Sequence, residues 1–586
     1  MTTAHEGPLM FVRTVKNTDP KGVTREYLRL VESYREGGKT KQRVIANIGS
    51  KEQLAPHAER IYQILRDEEP GEAEALGAWT WGPILAIRAI WDELRLGEAL
   101  DRISLAKGGR RPDIPLSERV FVLVANRLCQ PSSEHALADW LESYFVCDRA
   151  GRRWVPQWKQ KGRVRVDKKQ LQVWYRTLDQ LLATKDEVEV ALYRRLHDLF
   201  SIKVDLVFYD LTSTYFEGTG PSIAKHGYSR DKRPKNPQVL VGVVMVNGFP
   251  ITHHVLKGNL RDATTVSGMI ADLEARFEIG RIILVADRGM VTTDNLALFR
   301  EKGLGYLVGL HRRRRERVYE LVQRATGPWI DCPVGITASE AATPPRTRVQ
   351  EVACDETGVR VFVVDSEERR GYEQGMRERS MERTRQALEN LSTRVREGKI
   401  RAAEKIGASA ARILNRNHGH RYFDWELTES GVFRFFEGPQ LAREVAYEGK
   451  YLIQTEEASF TPVQAVQAYK ELSDVERGFA ELKDVLELRP IFHQSDDRVR
   501  AHIFVAALAF LIDRVIERKL KIKHCAMSAR VALEALESVR LVDLDLPDQR
   551  LRLVTKRTPR AGQVLNVLGI RCAEPPTPPA GDETLE

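Results

Sequence analysis

Residues 204–216 read VDLVFYDLTSTYF, an apolar run of β-branched and aromatic residues that gives way to small polar ones. This composition predicts a β-strand. Asp210 stands where the apolar run ends, so we expect it to close the strand. A lone carboxylate at this position could simply cap the next turn. Whether Asp210 has a functional role therefore depends on what the neighbouring strands carry.

Four more β-rich segments follow this strand in the chain, separated by helical patterns. Asn247-Gly248 predicts a two-residue hairpin turn between the second and third strands. The β-rich segments are QVLVGVVMV (238–246), ITHHVLKG (251–258), RIILVADRGM (281–290) and LGYLVGL (304–310). One helical segment precedes the fourth strand, and another follows it. Three strands, helix, strand, helix and strand is the order of the ribonuclease H-like fold, an α/β class with a mixed sheet.

A second aspartate closes the fourth predicted strand. In the ribonuclease H-like order the first and fourth strands are neighbours, so Asp210 and Asp287 should emerge side by side. Either residue alone could be a turn cap, but two on adjacent strands are harder to explain that way. A third carboxylate from a later helix would complete an oxygen-ligand cluster of the kind that suits Mg²⁺ or Mn²⁺.

The candidate for the third carboxylate lies in YKELSDVERGFAELKDVLELRPIFH, residues 469–493, which reads as a helix. Tyr469, Glu476 and Lys483 are spaced by seven residues and therefore share one face. A solvated face with a surface ion pair is the alternative explanation of this stripe. With Glu476 as a ligand, two cations about 3.5–4 Å apart would activate a water or 3′-hydroxyl in an in-line phosphoryl displacement.

Four motifs together resemble bacterial insertion-sequence transposases of the DDE type. They are YDLTSTYFEG (209–218), GYSRDKRPKNPQVLVG (227–242), VADRGM (285–290) and Y-x₂-L-x₃-E-x₆-K (469–483). More narrowly, they resemble the cut-and-paste group with a β-strand insertion before the glutamate and a Tyr-Arg-Glu-Lys signature. The resemblance covers most of the chain.

The resemblance implies a catalytic, metal-binding triad and contacts to the backbone of the transposon-end DNA. The triad is Asp210, Asp287 and Glu476, holding two Mg²⁺ ions for which Mn²⁺ can substitute. Tyr469 and Lys483 are the implied DNA contacts. The chain departs from the signature at Leu472, which occupies the arginine position. The phosphate contact of that arginine must come from elsewhere, with Arg477 as the candidate, or be absent.

The family places the insertion beside the active site. In relatives with this insertion an aromatic residue can grip a flipped base during hairpin formation, and Trp425 and Trp329 are the candidates here. Core packing is the alternative role of each tryptophan.

The sequence patterns along the chain predict six regions. Residues 312–460 are read as an insertion with its own β core and a charged helical arm (372–417), interrupted at Gly398 and Gly407. The regions are a small β region (1–55), a mostly helical DNA-binding region (56–200), the first part of the ribonuclease H-like core (201–311), the insertion (312–460), the second part of the core (461–525), and a C-terminal region with a disordered tail (526–586).

The charge of the chain permits a polyanionic partner without requiring one. There are 91 Lys and Arg residues against 82 Asp and Glu, a formal net charge of +9. Basic residues cluster at Arg152–Lys169, Arg230–Lys235 and His311–Arg317, and the first cluster interleaves Trp154 and Trp158 with cations. Each cluster alone is typical of a solvated face, but the three together favour a nucleic acid.

The cysteines and the apolar runs indicate where the protein works. The six cysteines lie far apart without a CxxC pair, so we expect free thiols in a reducing cytosol. The N-terminus lacks the apolar core of a signal peptide. The longest apolar run, Ile503–Ile512, is about half a membrane span and predicts a buried helix. We expect a cytoplasmic, nucleoid-associated bacterial protein that does not enter a membrane.

The expected function is that of a DNA transposase that cuts the ends of its element and joins them to target DNA. Its partners would be double-stranded terminal inverted repeats, target DNA and a second copy of the chain. The arm (372–417) and the segment after 526 are the surfaces available for a dimer, although the arm alternatively packs on its own chain.

Two other functions remain open at this point. One is a nuclease that cleaves without rejoining, and the other is a non-catalytic DNA-binding remnant. All three acidic positions are filled, which argues against the remnant. No residue separates strand transfer from simple cleavage, a hairpin route from other routes, or catalysis in cis from catalysis in trans.

Overall fold

The computed structural model describes most of the chain, which forms two compact units. The first unit comprises 1–202, 211–260 and 477–586, and the second comprises 203–210 and 261–476. The described residues are 9–18, 24–36, 39–50, 74–108, 113–149, 151–154, 168–202, 206–277, 282–286, 290, 292–310, 316–333, 345–480, 491–546, 549–570, 575–576 and 584–585.

The β-strands are distributed along the whole chain. In chain order they are β1 (Leu9–Thr18), β2 (Thr24–Glu36), β3 (Lys39–Ser50), β4 (Glu74–Thr80), β5 (Arg153–Trp154), β6 (Leu206–Tyr215), β7 (Gln238–Val246), β8 (Phe249–Lys257), β9 (Ile283–Ala286), β10 (Gly305–Gly309), β11 (Ile330–Cys332), β12 (Thr347–Val352), β13 (Arg360–Ser366), β14 (Phe423–Leu427), β15 (Phe433–Glu437), β16 (Lys450–Thr455), β17 (Arg540–Leu546), β18 (Gln549–Val554) and β19 (Thr584–Leu585).

The α-helices fall between these strands. They are α1 (Gly82–Glu93), α2 (Leu96–Ala106), α3 (Leu116–Cys129), α4 (Leu137–Ser143), α5 (Lys168–Ala183), α6 (Lys185–Phe200), α7 (Val266–Phe277), α8 (Thr293–Glu301), α9 (Glu316–Gln323), α10 (Glu367–Arg396), α11 (Ala403–Arg416), α12 (Gln440–Tyr447), α13 (Pro462–Ala480), α14 (Asp496–Ile522), α15 (Ala529–Leu536) and α16 (Pro559–Val567).

In the first unit the strands of the small β region pair in the antiparallel order β1-β2-β3. Alternation of apolar and polar residues buries one face, including Leu28 and Leu30, against Val542 of β17. The region predicted as mostly helical also contains strands, because β4 pairs with β17 at the other end of the chain. The predicted dimer segment after 526 is therefore partly occupied by its own unit: Ala529 and Leu536 are buried.

The central helix of the first unit is α14, which contains the apolar run Ile503–Ile512. Nearly all of that run is buried, as predicted, where α14 packs against α3, α5 and β8. No helix in the described ranges is long and apolar enough to cross a membrane. In the tail that was predicted to be disordered, Thr584–Leu585 pairs with β5.

The hairpin between β7 and β8 forms at the predicted turn. Val246 pairs with Phe249, and Asn247 and Gly248 between them have φ angles of 51° and 82°. Two consecutive positive φ angles are what a type I′ turn requires, and Asn-Gly accommodates them at low cost. This local prediction is confirmed.

Strand β6 runs through both units, with 206–210 in the second and 211–215 in the first. In the second unit the strands are hydrogen-bonded in the order β11-β12-β13-β16-β10-β9-β6, and in the first unit β7 and β8 follow β6. Strands β6, β9 and β10 are parallel, whereas β10 and β16 are antiparallel. The result is a large mixed sheet in an α/β fold.

The described strands of the insertion do not form a separate β core, contrary to expectation. Strand β13 pairs with β16, and β16 pairs with β10, so four insertion strands extend the sheet that carries β6 and β9. Within the described part of the insertion, the hairpin of β14 and β15 alone forms its own small sheet. Backbone hydrogen bonding at the free edge of β10 accounts for this continuity.

The charged arm is a pair of helices, α10 and α11, joined near Gly398 (φ 71°). Gly407 was expected to interrupt the helix but lies inside α11, against Trp425. Apolar residues of the arm, including Met381 and Leu388, pack with β14 and β15 in one hydrophobic cluster. The apolar face of the arm is thus covered by its own chain, in agreement with the alternative to a dimer contact.

Candidate catalytic site

Asp210 lies half-buried inside β6 rather than at its end, because the strand continues to Tyr215. As expected, β6 and β9 are neighbours. The last described pair in their parallel ladder is Tyr209 opposite Ala286. Asp210 follows Tyr209 in sequence and Asp287 follows Ala286. Asp287 itself lies outside the described residues.

A buried hydrogen bond fixes the residue before Asp210. The hydroxyl of Tyr209 donates to Oγ1 of Thr265 over 2.9 Å, and both side chains are buried. Burial raises the pKa of Tyr209 to about 12, so its hydroxyl remains a donor at neutral pH. The contact ties β6 to the turn that precedes α7.

Asn295 at the start of α8 holds the segment that follows β9. Its Nδ2 donates to the carbonyl of Met290 over 2.8 Å and to the carbonyl of Ala263 over 3.0 Å. Its backbone N–H donates to Oγ1 of Thr292, the N-cap of α8. Sequence reasoning missed this residue, although Thr-Thr-Asp-Asn before an apolar pattern is a helix-start signal.

Helix α13 carries the proposed third ligand, but its last side chains are not described. Position 476 lies within the helix backbone, whereas the side chains of 473–480 and all of 481–490 fall outside the description. Glu476, Arg477 and Lys483 as site residues therefore stay predictions. Leu472 is only 3% exposed, so the arginine position of the signature is filled by a core residue.

Tyr469 packs against the sheet instead of lying on an open surface. Its ring is 5.9 Å from that of Tyr451 on β16, and its hydroxyl lies over Gly309 at the end of β10. A Cβ at Gly309 would come within 2.2 Å of this hydroxyl oxygen. The next residue, Lys470, donates to Oγ1 of Thr347 over 3.1 Å. Helix α13 is thus fastened to three strands of the second unit.

A cavity of about 610 Å³ lies beside the first half of α13. Its lining includes Leu206 and Ile283, the first residues of β6 and β9, together with Gln464 and Ala468. Asp210 is further along β6, so this cavity lies at the other end of the paired strands and is not the carboxylate site.

The two tryptophans proposed to grip a flipped base are both packed within the second unit. Trp425 stacks on Phe433 with ring centroids 5.6 Å apart. Trp329 packs on the hydrophobic cluster of β13 and α9, with the guanidinium of Arg348 5.4 Å from its ring centroid. The packing alternative accounts for both residues.

The three basic clusters differ in how much of each the structure describes and in how exposed their described residues are. Trp154 was expected on a stacking surface but is 1% exposed and packs on Trp174, so that interpretation is wrong. Most of Arg152–Lys169, with Trp158, and the stretch 311–315 lie outside the described residues. In Arg230–Lys235 the side chains from Lys232 onward are exposed.

Comparison with known families identifies the chain. Residues 205–512, more than half of the chain, match the family model "Transposase DDE domain". Residues 12–75 match "IS1634 family transposase, N-terminal domain". The chain therefore belongs to the insertion-sequence DDE transposases, enzymes that cleave and transfer DNA.

A solved structure shows a weaker similarity. It is described as "Cryo-EM structure of piggyBac transposase synaptic complex with hairpin DNA", with 10% identity, a TM-score of 0.33, and coverage of 78% of this chain and 79% of that one. A TM-score of this size is too low to establish a shared fold. No curated protein matches the chain.

Proposed function

We propose that this transposase cleaves the ends of its own insertion sequence and joins them to target DNA by two-metal phosphoryl transfer. Asp210, Asp287 and Glu476 are the proposed catalytic triad. The observation that carries the proposal is the parallel pairing of β6 with β9, because the last described pair immediately precedes both aspartates in sequence.

The strand order supports a ribonuclease H-like catalytic core. Strands β10, β9, β6, β7 and β8 are consecutive neighbours, with helices α7 and α8 on either side of β9 in the chain. This arrangement agrees with the order three strands, helix, strand, helix and strand, and with the first and fourth strands side by side.

The direction of α13 supports Glu476 as the third member. Gln464 and Ala468 line the cavity at the first residues of β6 and β9, whereas Tyr469 contacts the last residue of β10. Because these strands are parallel, the helix runs toward their carboxyl ends. Position 476 lies seven residues, or about 10 Å of helix, further in this direction.

The chemistry of the donor set fits hard divalent cations. Three carboxylates without a thiol or imidazole are typical of Mg²⁺ or Mn²⁺ sites. When bound, two such ions would activate a water or 3′-hydroxyl and stabilise the leaving oxygen. The chain holds the first aspartate on a central strand and braces the neighbouring segments through Tyr209 and Asn295.

DNA recognition is proposed to lie mainly outside this core. Residues 56–200 with the basic stretch Arg152–Lys169 are the proposed reader of the terminal repeat, and Lys483 with Tyr469 the proposed contacts near the scissile phosphate. Tyr469 can serve only by its hydroxyl edge, since its ring packs on Tyr451. Both ends must be joined together, so we propose a homodimer on DNA.

The test is cleavage of DNA carrying an element end by Asp210→Asn, Asp287→Asn and Glu476→Gln. Each variant should lose cleavage in Mg²⁺ and keep end binding, because each removes one metal ligand. Asp294→Asn, an exposed carboxylate in the first turn of α8, is the matched control and should cut normally. A triad variant that cuts at the wild-type rate removes that residue from the site. Cleavage without joining to target would favour a nuclease instead.

A further inference from the structure

A buried carboxylate and two imidazoles meet in the first unit. None of them belongs to the proposed triad. Glu134 precedes α4, His493 precedes α14, and His502 lies on α14. Oε1 of Glu134 is 3.3 Å from Nε2 of His493 and 3.9 Å from Nδ1 of His502. One ligand atom from each residue lies within 4.8 Å of the others.

The burial of this cluster is unusual for three polar side chains. The exposed fractions are 10% for the Glu134 side chain and 9% for each histidine side chain. Burying such groups is costly unless they are paired or bind a metal. The His493 ring is also held edge-on by Tyr175, with centroids 6.0 Å apart.

A second observation points to a missing polar partner. Nε2 of His502 is buried and has no hydrogen-bond partner among the residues that the structure describes. His502 and Glu134 line a cavity of about 10 Å³, roughly the space that one water molecule occupies. Nδ1 of the same ring faces Glu134, so Nε2 is not the nitrogen counted in the donor spacing, and the cavity adds room for one small ligand beside the cluster.

The donor set and its spacing match a zinc site. Two histidines and one glutamate, with water in the fourth position, are an established zinc-ligand set. Metal–ligand distances of about 2.0–2.1 Å place tetrahedral donors about 3.4 Å apart, so 3.3 and 3.9 Å require only small side-chain adjustments. Arg127 lines the same cavity, and its positive charge should make binding weaker than at a thiolate site.

We propose that Glu134, His493 and His502 bind one Zn²⁺ ion. The ion would fasten the segment 491–495 to the helical region that holds Glu134. Ile491 in that segment already forms a parallel bridge with Phe216 just after β6, so the metal would add a second attachment nearby. This site is distinct in residues and in ligand chemistry from the proposed Mg²⁺ triad.

The experiment measures metal content and thermal stability of the full chain, without DNA. Protein purified without chelators should contain about one zinc per chain, and zinc added to chelator-treated protein should raise its melting temperature. Co²⁺ in place of zinc should show the visible absorption of a tetrahedral site. Glu134→Gln, His493→Gln and His502→Gln should each weaken zinc binding at least about 100-fold, since even supporting residues cost 10–100-fold.

His524→Gln is the matched control, because His524 is exposed and lies in the same unit, just after α14. It should bind zinc as the wild type does. The proposal would be overturned if the wild-type protein gained no stability from zinc and gave no tetrahedral Co²⁺ spectrum. It would also be overturned if all three ligand variants bound zinc as tightly as the wild type. If a variant fails to fold, the wild-type spectrum still decides. Failure of the triad in cleavage assays would leave these readouts unchanged.

Discussion

Asn295→Ala should weaken the second unit and slow DNA cleavage at the same time. The side chain is 7% exposed and donates two hydrogen bonds, to the carbonyls of Met290 and Ala263. Each bond contributes about 1 kcal/mol net, and a buried carbonyl left unpaired costs about 1–3 kcal/mol. We therefore expect the free energy of unfolding to fall by about 2–4 kcal/mol.

The effect on cleavage follows from where these bonds act. Met290 lies three residues after Asp287 in sequence, so we expect its anchored carbonyl to help position the proposed second ligand. Displacing a catalytic group by about 1 Å can cost about 100-fold in rate. Urea unfolding and single-turnover cleavage of saturating end DNA in Mg²⁺ measure the two effects separately.

The control is Asn126→Ala on α3, whose buried side chain also makes two hydrogen bonds, with the Gln130 carbonyl and the Ser132 hydroxyl. It should lose similar stability but cleave saturating DNA at the wild-type rate. An Asn295→Ala protein that loses stability yet cleaves normally would refute the positioning role. One that loses no stability would refute the hydrogen-bond assignment itself.

Three further predictions concern packing and charge. Leu472→Arg, which restores the family signature, should lower the free energy of unfolding by several kcal/mol because it buries a charge. A variant that is as stable as the wild type and binds DNA more tightly would contradict this. Gly309→Ala should lower the melting temperature by pressing on the Tyr469 hydroxyl, and Tyr469→Phe should recover part of the loss. Burial raises the pKa of Glu189, but contacts from His253 and Lys185 outweigh it and hold the pKa below 4.5. The wild type should therefore lose its stability advantage over Glu189→Gln as the pH falls below 4.5, which urea unfolding at a series of pH values measures.

The signature motifs led to the family directly from sequence, and the family match agrees. These motifs are short and local. The Asn-Gly turn was predicted for the same reason, because few other residues tolerate its two positive φ angles. The apolar run in α14 was equally legible, since a helix that is apolar all round must be buried.

The burial of many single residues could not be predicted from sequence in this way. Trp154 reads as a surface aromatic among cations, yet it is buried on Trp174, which lies on α5 beyond a stretch outside the description. Leu472 reads as a departure from a DNA-binding signature, yet its position belongs to the core. Exposure depends on which element covers a residue, and the neighbouring residues in sequence do not specify that element.

The largest structural surprise is the insertion, which joins the central sheet through β16 and β10. Strand patterns specify that a segment pairs but not which edge it pairs with, because backbone hydrogen bonds are nearly independent of side chains. The same holds for Glu134, His493 and His502, which are remote in sequence and meet only because α14 packs beside the region before α4. Sequence by itself determined the local elements and the family, whereas the tertiary structure decided which distant residues share a site, since only packing brings such residues within contact distance.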